Sequence, residues 1–432
     1  MYDVIVIGGG LGYAAAIVLS KAGKKVALIE KNLEHLGGTC LHNGCIPSKN
    51  LLHRAKTLLE LKEGFFDGEV SLNLKKLQNH ISKIITSHTK AVKNQLLMAK
   101  VELIEDEGYV TDDGVLLKNQ NKTLQAKYII IADGSKPRIP EGIEYDGKRI
   151  ITSKEALELK NAPKEITIYG SGAIGLEMAS FFSAIGTKVN LLYRHSNISK
   201  KFPQIITEKL EEQLKNIGVN LMPNSEIKEA ITEHSKVICN INGKEFSTDY
   251  LLVAAGRVPK TDIVQTDKIK IQKGIVTDEY FQTTMPNVYA VGDCNGKLML
   301  AHAARAQALN VANQILGKKE KLILENIPKF IYTLPLSYAN IGTKGVKEAE
   351  FPINYLGIAG SLYGDELGIV KIYADEENFI TGADILAPNA EELIGIFSSA
   401  LAAEVDIDTL KKAVFPHPTY SEAIDRALRR FR

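Results

Sequence analysis

The chain has 432 residues, 45% of them hydrophobic and 24% charged, and its 53 Lys and Arg against 51 Asp and Glu leave a net charge of +2. At about 150 residues per domain this length predicts two or three domains, and the apolar content excludes a disordered chain. The near balance of charge excludes a nucleic-acid binder that relies on global positive charge, and no apolar run reaches the roughly 18 residues of a membrane span.

The N-terminus, MYDVIVIGGG, reads as a strand beginning almost at once, with no cationic leader, so a cytoplasmic protein without a signal peptide is expected. DVIVI is followed by glycines, a helix-like stretch AAAIVLSKAGKK and a second strand, VALIE, ending at Glu30. This βαβ unit predicts a parallel sheet. Gly8, Gly10 and Gly12 in its loop permit a tight turn and close approach of a pyrophosphate to the helix N-terminus. Glu30 stands where an acid can bond a ribose hydroxyl. Tyr13 occupies the place of the third fingerprint glycine, so the loop is one residue short. Either Gly12 serves in a shifted register or the loop is distorted.

Cys40-Leu41-His42-Asn43-Gly44-Cys45 follows. In a straight helix residues five apart are separated by about 7.5 Å of rise, beyond the roughly 7 Å between Cα atoms that a disulfide tolerates. A bridge therefore requires a bend, which Gly44 permits. Pro47 suits a first helical turn, which places Cys45 just before a helix N-terminus, where a thiolate is stabilised. A redox pair is the favoured reading. A metal site recruiting His42, without a second Cys/His pair close in sequence, and a pair of inert thiols are the alternatives. Cys239 and Cys294 are expected to be buried bystanders, and four cysteines are too few for a secreted disulfide scaffold.

Residues 50–100 read as helices, the second of them basic, amphipathic and solvated on one face. Short strands with Asp-Gly turns follow from about residue 101, as in TDDGVLL. YIIIADGS at 128–135 is a further strand and glycine turn. The βαβ grammar returns at 166–194, where Gly170, Gly172 and Gly175 complete the full dinucleotide fingerprint. Its second strand ends in Tyr193-Arg194-His195, with no acid. A cation there accommodates a 2′-phosphate, so Arg194, helped by Lys200 or Lys201, leans towards NADP(H). Strands YLLVAAGR and NVYAVGD come next. The last hundred residues mix strands IAGSLYG, LGIVKIYA and ITGADILA with helices from Ala390 onward and read as an α+β domain.

GGTCLHNGCIPSK at 37–49, AVGDC at 290–294, MLAHAA at 299–304 and HPTYSEA at 417–423, with two dinucleotide units in this order, resemble the class I pyridine nucleotide-disulfide oxidoreductases over essentially the whole chain. Within that family the cysteine motif and LAHAA are most similar to dihydrolipoamide dehydrogenase, and Arg194-His195 to glutathione reductase. The resemblance implies an α/β fold with two Rossmann-like dinucleotide-binding domains and a C-terminal α+β dimerisation domain. It divides the chain into 1–146 (FAD-binding, with the redox disulfide), 147–257 (NAD(P)-binding), 258–323 (central, FAD-binding) and 324–432 (interface).

The resemblance also implies roles. Cys45 matches the thiol facing the flavin, and Cys40 the interchange thiol. His417 and Glu422 match the pair that crosses a homodimer interface to serve the partner's cysteines. The segment HPTYSE also reads as a helix start capped by Thr419. Lys49 and Glu177 match an ion pair beside the flavin. Asp293 matches the acid that bonds the ribityl chain, Ala301 and His302 the backbone contacts to the pyrimidine end, and Gly38 and Thr39 further cofactor contacts. No metal is implied. The implied function is an FAD-dependent NAD(P)H:disulfide oxidoreductase, dihydrolipoamide dehydrogenase-like, acting on a small-molecule or carrier-bound dithiol or disulfide. Alternatives are an NADPH-dependent reductase like glutathione reductase, a metal-ion or quinone reductase, and an assembly subunit that binds a lipoyl-carrier protein. Neither nucleic acid nor membrane is an expected partner. Departures from the family pattern are His42-Asn43 in the cysteine motif, Asp133 in place of a usual Thr, and Leu334 and Leu336 where His and Glu are frequent.

Overall fold

The computed structural model describes residues 1–361 and 365–431. The chain forms two compact units: the first comprises Met1–Ser48, Gln78–Arg138 and Arg257–Leu324, the second Lys49–Leu77, Ile139–Gly256 and Glu325–Arg432.

In chain order the first elements are β1 (Tyr2–Ile7), α1 (Tyr13–Lys21), β2 (Val26–Glu30), α2 (Gly38–Asn43), α3 (Cys45–Leu61), α4 (Leu74–Met98) and β3 (Glu102–Glu105). The first unit is built on a parallel five-stranded sheet in the order Val288–Ala290, Ala126–Ile131, β1, β2, β3. Alternate residues of β1 explain why its apolar run is unbroken. Val4 and Val6 face a core with Ala15, Leu19, Leu96 and Val311. Ile5 and Ile7 face an opposite core with Val110, Val115 and Ile275. A sheet covered on both faces leaves no position for a polar alternation. Gly108–Thr111, Gly114–Leu117 and Lys122–Leu124 make the expected antiparallel hairpins.

The second unit repeats the plan. Val219–Met222, Lys188–Leu192, Glu165–Tyr169, Tyr250–Val253 and Ile150–Ile151 form a parallel sheet in that order, and the helix Ala173–Ala184 is buried along most of its length. An antiparallel three-stranded sheet, Ile227–Glu233, Lys236–Ile241 and Lys244–Thr248, packs on one of its faces. The C-terminal part is an antiparallel five-stranded sheet whose Ala339, Val370, Ile372 and Ile385 share one core with helices Ala390–Ala402 and Glu422–Leu428. LGIVKIYA and ITGADILA supply two of its strands. The strand expected of IAGSLYG is not formed over Ile358–Ser361, which make a turn and a bend, and Leu362–Gly364 lie outside the described residues. The preceding strand stops at Pro352, and Gly360, at φ +83°, bends the chain away from an extended path. Among the described residues no helix is long and apolar enough to cross a membrane.

The short N-terminal loop resolves in favour of a register shift. In the second fingerprint a Cβ on Gly175 would fall 1.8 Å from the Gly170 carbonyl oxygen, so this glycine lets helix and strand touch. Tyr13 could not do this, and α1 instead starts later, with Gly12 as its N-cap. A Cβ on Gly12 would stand 2.5 Å from the Ala132 Cβ, at the end of the neighbouring strand. Gly12 thus does the packing of the missing third glycine. We predict that Gly12→Ala costs about 1–3 kcal/mol, as overpacking does. A melting transition several degrees lower is the expected result; an unchanged transition would show that Ala132 yields freely.

Candidate active site

The two cysteines are brought to one place by glycine contacts. Cys40 lies in α2 and Cys45 is the first residue of α3, with Gly44 between the two helices. A Cβ on Gly44 would lie 2.8 Å from the Thr39 carbonyl oxygen and 3.2 Å from the Cys40 Cα, so only glycine lets the chain fold back this closely. Both cysteines are half-buried. Ser48 closes the first turn of α3, its N–H donating to the Gly44 carbonyl at 3.0 Å and its hydroxyl to the Cys45 carbonyl at 3.2 Å. Pro47 falls within that turn. A thiol at the start of a 17-residue helix meets the positive end of the helix dipole, which favours its thiolate.

His42 fastens this segment. The Thr89 hydroxyl donates to the Ile85 carbonyl, so the His42 Nε2–H is the donor to both Leu36 O (3.1 Å) and Thr89 Oγ1 (3.3 Å). Burial holds the imidazole below its ordinary pKa. The family departure at this position thus ties α2 to α4. Among the described residues no cluster of three or more His, Cys, Asp or Glu is arranged to hold a metal ion.

The same segment rests on the first dinucleotide loop. A Cβ on Gly38 would lie 2.7 Å from the Gly10 Cα. Above Gly10 itself there is room: a Cβ there would meet nothing nearer than the Ala132 carbonyl oxygen at 4.0 Å. Gly8 begins the loop at φ +105°, and Gly12 seats the helix behind it. Glu30 reaches back and accepts the Gly9 N–H at 2.6 Å and the Asn32 N–H at 3.3 Å. On the far side of the sheet end, Asp293 opens a short 3₁₀ turn. Ala301 and exposed His302 begin the helix Ala301–Ile315, where first-turn N–H groups have no intrahelical acceptor. Glycine loop, acid, room for a diphosphate and a second helix N-terminus fit the two ends of FAD.

Two residues at this site escape sequence reading. The Ser135 hydroxyl donates to Asp293 Oδ2 at 2.5 Å, and Arg257 donates to Ser135 through Nε (2.7 Å to Oγ) and Nη2 (2.8 Å to the carbonyl). Arg257 Nε lies 3.9 Å from Asp293. This chain fixes the carboxylate in one orientation. Both residues close the segments YIIIADGS and YLLVAAGR, where each begins a short strand, Ser135–Pro137 and Arg257–Pro259, but their pairing is visible only in three dimensions. Asp133 is half-buried at the same sheet edge, and burial raises its carboxyl pKa.

In the second unit Lys49 Nζ lies 2.5 Å from Glu177 Oε1. The Tyr332 N–H also donates to Glu177 Oε1, at 3.0 Å. The Phe330 and Tyr332 rings stand 5.5 and 5.8 Å from Lys49 Nζ. A buried carboxylate with two donors is well held. His417 Nδ1 and Glu422 Oε1 are 2.9 Å apart, and Glu422 Oε2 accepts the Thr419 N–H at 3.1 Å. Helix Glu422–Leu428 begins after Ser421 rather than Thr419, whose hydroxyl bonds Pro416 O and Ser421 Oγ, so only half of the expected capping box is made. The His417 contact, then the Thr419 N–H, hold the Glu422 carboxyl below its ordinary pKa.

At the second fingerprint nothing lies within 4 Å of a Cβ built on Gly172, so this loop too leaves room for a diphosphate. Gly170 starts the turn at φ +118°. Arg194 is exposed and faces Glu226, Nη1 to Oε1 at 3.8 Å, an acid from another loop that sequence reading missed. Cys239 and Cys294 are fully buried, and burial pushes both thiols up to about 12.

Comparison with known proteins identifies the family. Residues 2–308 match the pyridine nucleotide-disulphide oxidoreductase family, and residues 336–428 its dimerisation domain. The chain is similar to a dihydrolipoyl dehydrogenase of Buchnera aphidicola subsp. Schizaphis graminum, 33% identical over 456 residues that cover 98% of this chain and 94% of the relative. It is similar to another of Bacillus subtilis, 31% identical over 448 residues, covering 98% and 97%. A soluble pyridine nucleotide transhydrogenase of Mycobacterium bovis is 30% identical over 453 residues, covering 99% and 96%. In fold the chain resembles LpdA of Mycobacterium tuberculosis, with a TM-score of 0.90, 22% identity and 99% of each chain covered. It also resembles the HOCl-induced flavoprotein disulfide reductase RclA of Escherichia coli, with a TM-score of 0.86, 22% identity and 100% of each chain covered. The chain belongs to the pyridine nucleotide-disulphide oxidoreductase family, enzymes that use FAD and NAD(P) to exchange electrons with a disulfide.

Proposed function

We propose that the chain is a dihydrolipoyl dehydrogenase-like member of this family, exchanging electrons between NAD(P)(H) and an external dithiol or disulfide through Cys40 and Cys45. The observation that carries the reading is the pair of half-buried cysteines flanking a turn where only Gly44 fits against the Cys40 Cα, with neighbouring Gly38 seated on Gly10. FAD, when bound along the first glycine loop, supplies the two-electron exchange between the nicotinamide and the cysteine pair. Gly8, Gly10, Gly12, Glu30, Gly38, Thr39, Asp293, Ala301 and His302 would hold it. Gly170, Gly172, Gly175 and Arg194 would hold the nicotinamide coenzyme.

The cysteines then do thiol–disulfide exchange. Starting from the reduced pair, Cys40 as thiolate attacks an external disulfide; one S–S bond forms to Cys40 and the external one breaks, releasing a thiol. Cys45 next attacks the mixed disulfide at Cys40, which closes the pair and frees the second thiol. With a dihydrolipoyl substrate the same steps run in reverse. His417 moves the proton: Glu422 fixes a proton on Nδ1, which leaves Nε2 to take one from a thiol or return it. We assign this work to the cysteine pair of a partner subunit in a homodimer. Lys49 and Glu177 are assigned the charge pair that modulates electron transfer. The relatives' printed names favour a lipoyl substrate over glutathione disulfide, a metal ion or a quinone.

The test is an anaerobic reductive titration with a turnover panel. The FAD-loaded protein should take up one electron pair more than its flavin alone accepts, and Cys45→Ser should lose that extra pair and the long-wavelength absorbance of the reduced enzyme. Dihydrolipoamide should turn over at least about tenfold faster than reduced glutathione. Uptake no greater than that of the flavin in the unsubstituted protein would sink the proposal.

The Glu422 carboxyl gives a pH signature. Its folded pKa is depressed, so its contribution to stability is present above the ordinary carboxylate value, about 4.3, and is lost as pH falls through the folded value. Glu422→Gln should therefore melt a few degrees below the unsubstituted protein at pH 7 and converge with it below about pH 4. A constant difference across that range would show that the ionised form has no special stabilisation.

A further inference from the structure

The strand that ends at Arg194 carries no acid of its own, yet the fold brings one to it. Glu226 lies between strands Val219–Met222 and Ile227–Glu233, and its Oε1 is 3.8 Å from Arg194 Nη1. Main-chain bonds set its place. Tyr193 N–H donates to the Met222 carbonyl at 3.2 Å, Ser225 N–H to the Tyr193 carbonyl at 3.0 Å, and Asn224 N–H to the His195 carbonyl at 3.0 Å. Residues 223–225 therefore run alongside 193–195. From the other side, Asn242 accepts the Glu226 N–H on its Oδ1 at 3.0 Å, donates its own N–H to the Glu226 carbonyl at 3.1 Å, and donates Nδ2 to the Asn224 carbonyl at 2.8 Å.

The backbone of Glu226 is thus braced from two sides, while the Arg194 and Glu226 side chains stay 58% and 56% exposed. So exposed a pair adds little to folding stability. Towards a ligand the balance differs, because an exposed pair keeps both charges accessible at the strand end. The loop that carries Lys200 and Lys201 is anchored at the same place: the Ser171 hydroxyl of the fingerprint donates to the Ile198 carbonyl at 2.7 Å, and Ile198 N–H donates to Glu211 at 2.9 Å.

We infer that Glu226 is a coenzyme-selecting residue, which accepts from a free adenosine 2′-hydroxyl and opposes the 2′-phosphate that Arg194 attracts. This rests on the reading of Gly170–Gly175 as the nicotinamide coenzyme's loop. A carboxylate in like-charge juxtaposition with a phosphate penalises that ligand, and one partnering a hydroxyl rewards it. Arg194 alone predicts an NADP(H) enzyme; the pair predicts that the preference is reduced or turned towards NAD(H).

The experiment is equilibrium binding of adenosine 2′,5′-bisphosphate and of 5′-AMP to the FAD-loaded protein, with flavin reduction by NADPH and NADH measured beside it. Glu226→Gln should tighten the bisphosphate about tenfold and leave AMP within about threefold. Glu226→Ala should tighten the bisphosphate likewise but weaken AMP by about threefold or more, since it removes the hydroxyl's acceptor, and Arg194→Gln should weaken the bisphosphate selectively. The NADPH/NADH ratio of kcat/KM should follow the binding ratio. Binding of both nucleotides with a ratio unchanged by Glu226→Gln and Glu226→Ala overturns the inference and leaves the proposed function standing. Absence of binding to any of these proteins removes the coenzyme assignment of this loop and the inference with it. Normal nucleotide selection without flavin reduction by either coenzyme supports the inference and defeats the proposed activity instead.

Discussion

The contact between Gly38 and Gly10 is the constraint on which the first unit depends. Two backbones meet there with no side chain between them, and a single Cβ would part them. One backbone belongs to the first glycine loop, the other to the helix that carries Cys40. Their separation is therefore set by main-chain van der Waals radii rather than by side-chain rotamers. Gly44 repeats the device between Thr39–Cys40 and the start of α3. A redox pair that must meet a planar cofactor at a fixed distance gains from such stiffness, since side chains can repack and backbones in contact cannot.

In each unit, carboxylates are held in pairs or short chains. Glu30 braces Gly9, Ser135 and Arg257 brace Asp293, Tyr332 braces Glu177, and Thr419 braces Glu422. In each case at least one partner is an uncharged donor or a main-chain N–H that orients the carboxylate. A carboxylate ordered in this way loses less freedom when it meets a further partner.

Much of the fold was legible because its signals are local. The unbroken run VIVI of β1 reflects burial on both faces, and the alternation and turn residues around TDDGVLL reflect a hairpin. Fingerprint glycines and the cysteine motif are local too. The parts that escaped are long-range. Arg257 is far from Ser135 in sequence, and Glu226 reaches Arg194 only because one loop runs beside a strand end. No periodicity encodes such meetings. The first unit is likewise assembled from three separate stretches of chain, a fact that composition does not register. IAGSLYG misled because its apolar residues suit a strand while its glycines permit a turn, and in Ile358–Ser361 the turn prevailed.

The two remaining cysteines carry a practical consequence. With Cys239 and Cys294 sealed in the cores and their thiols pushed up to about 12, almost none of either is ionised near neutrality. An alkylating reagent applied to the native protein would meet a silent background and mark only sulfurs 40 and 45. The molecule thus comes with its own chemical reporter, and its oxidation state inside a cell extract can be counted by mass without engineering a single residue.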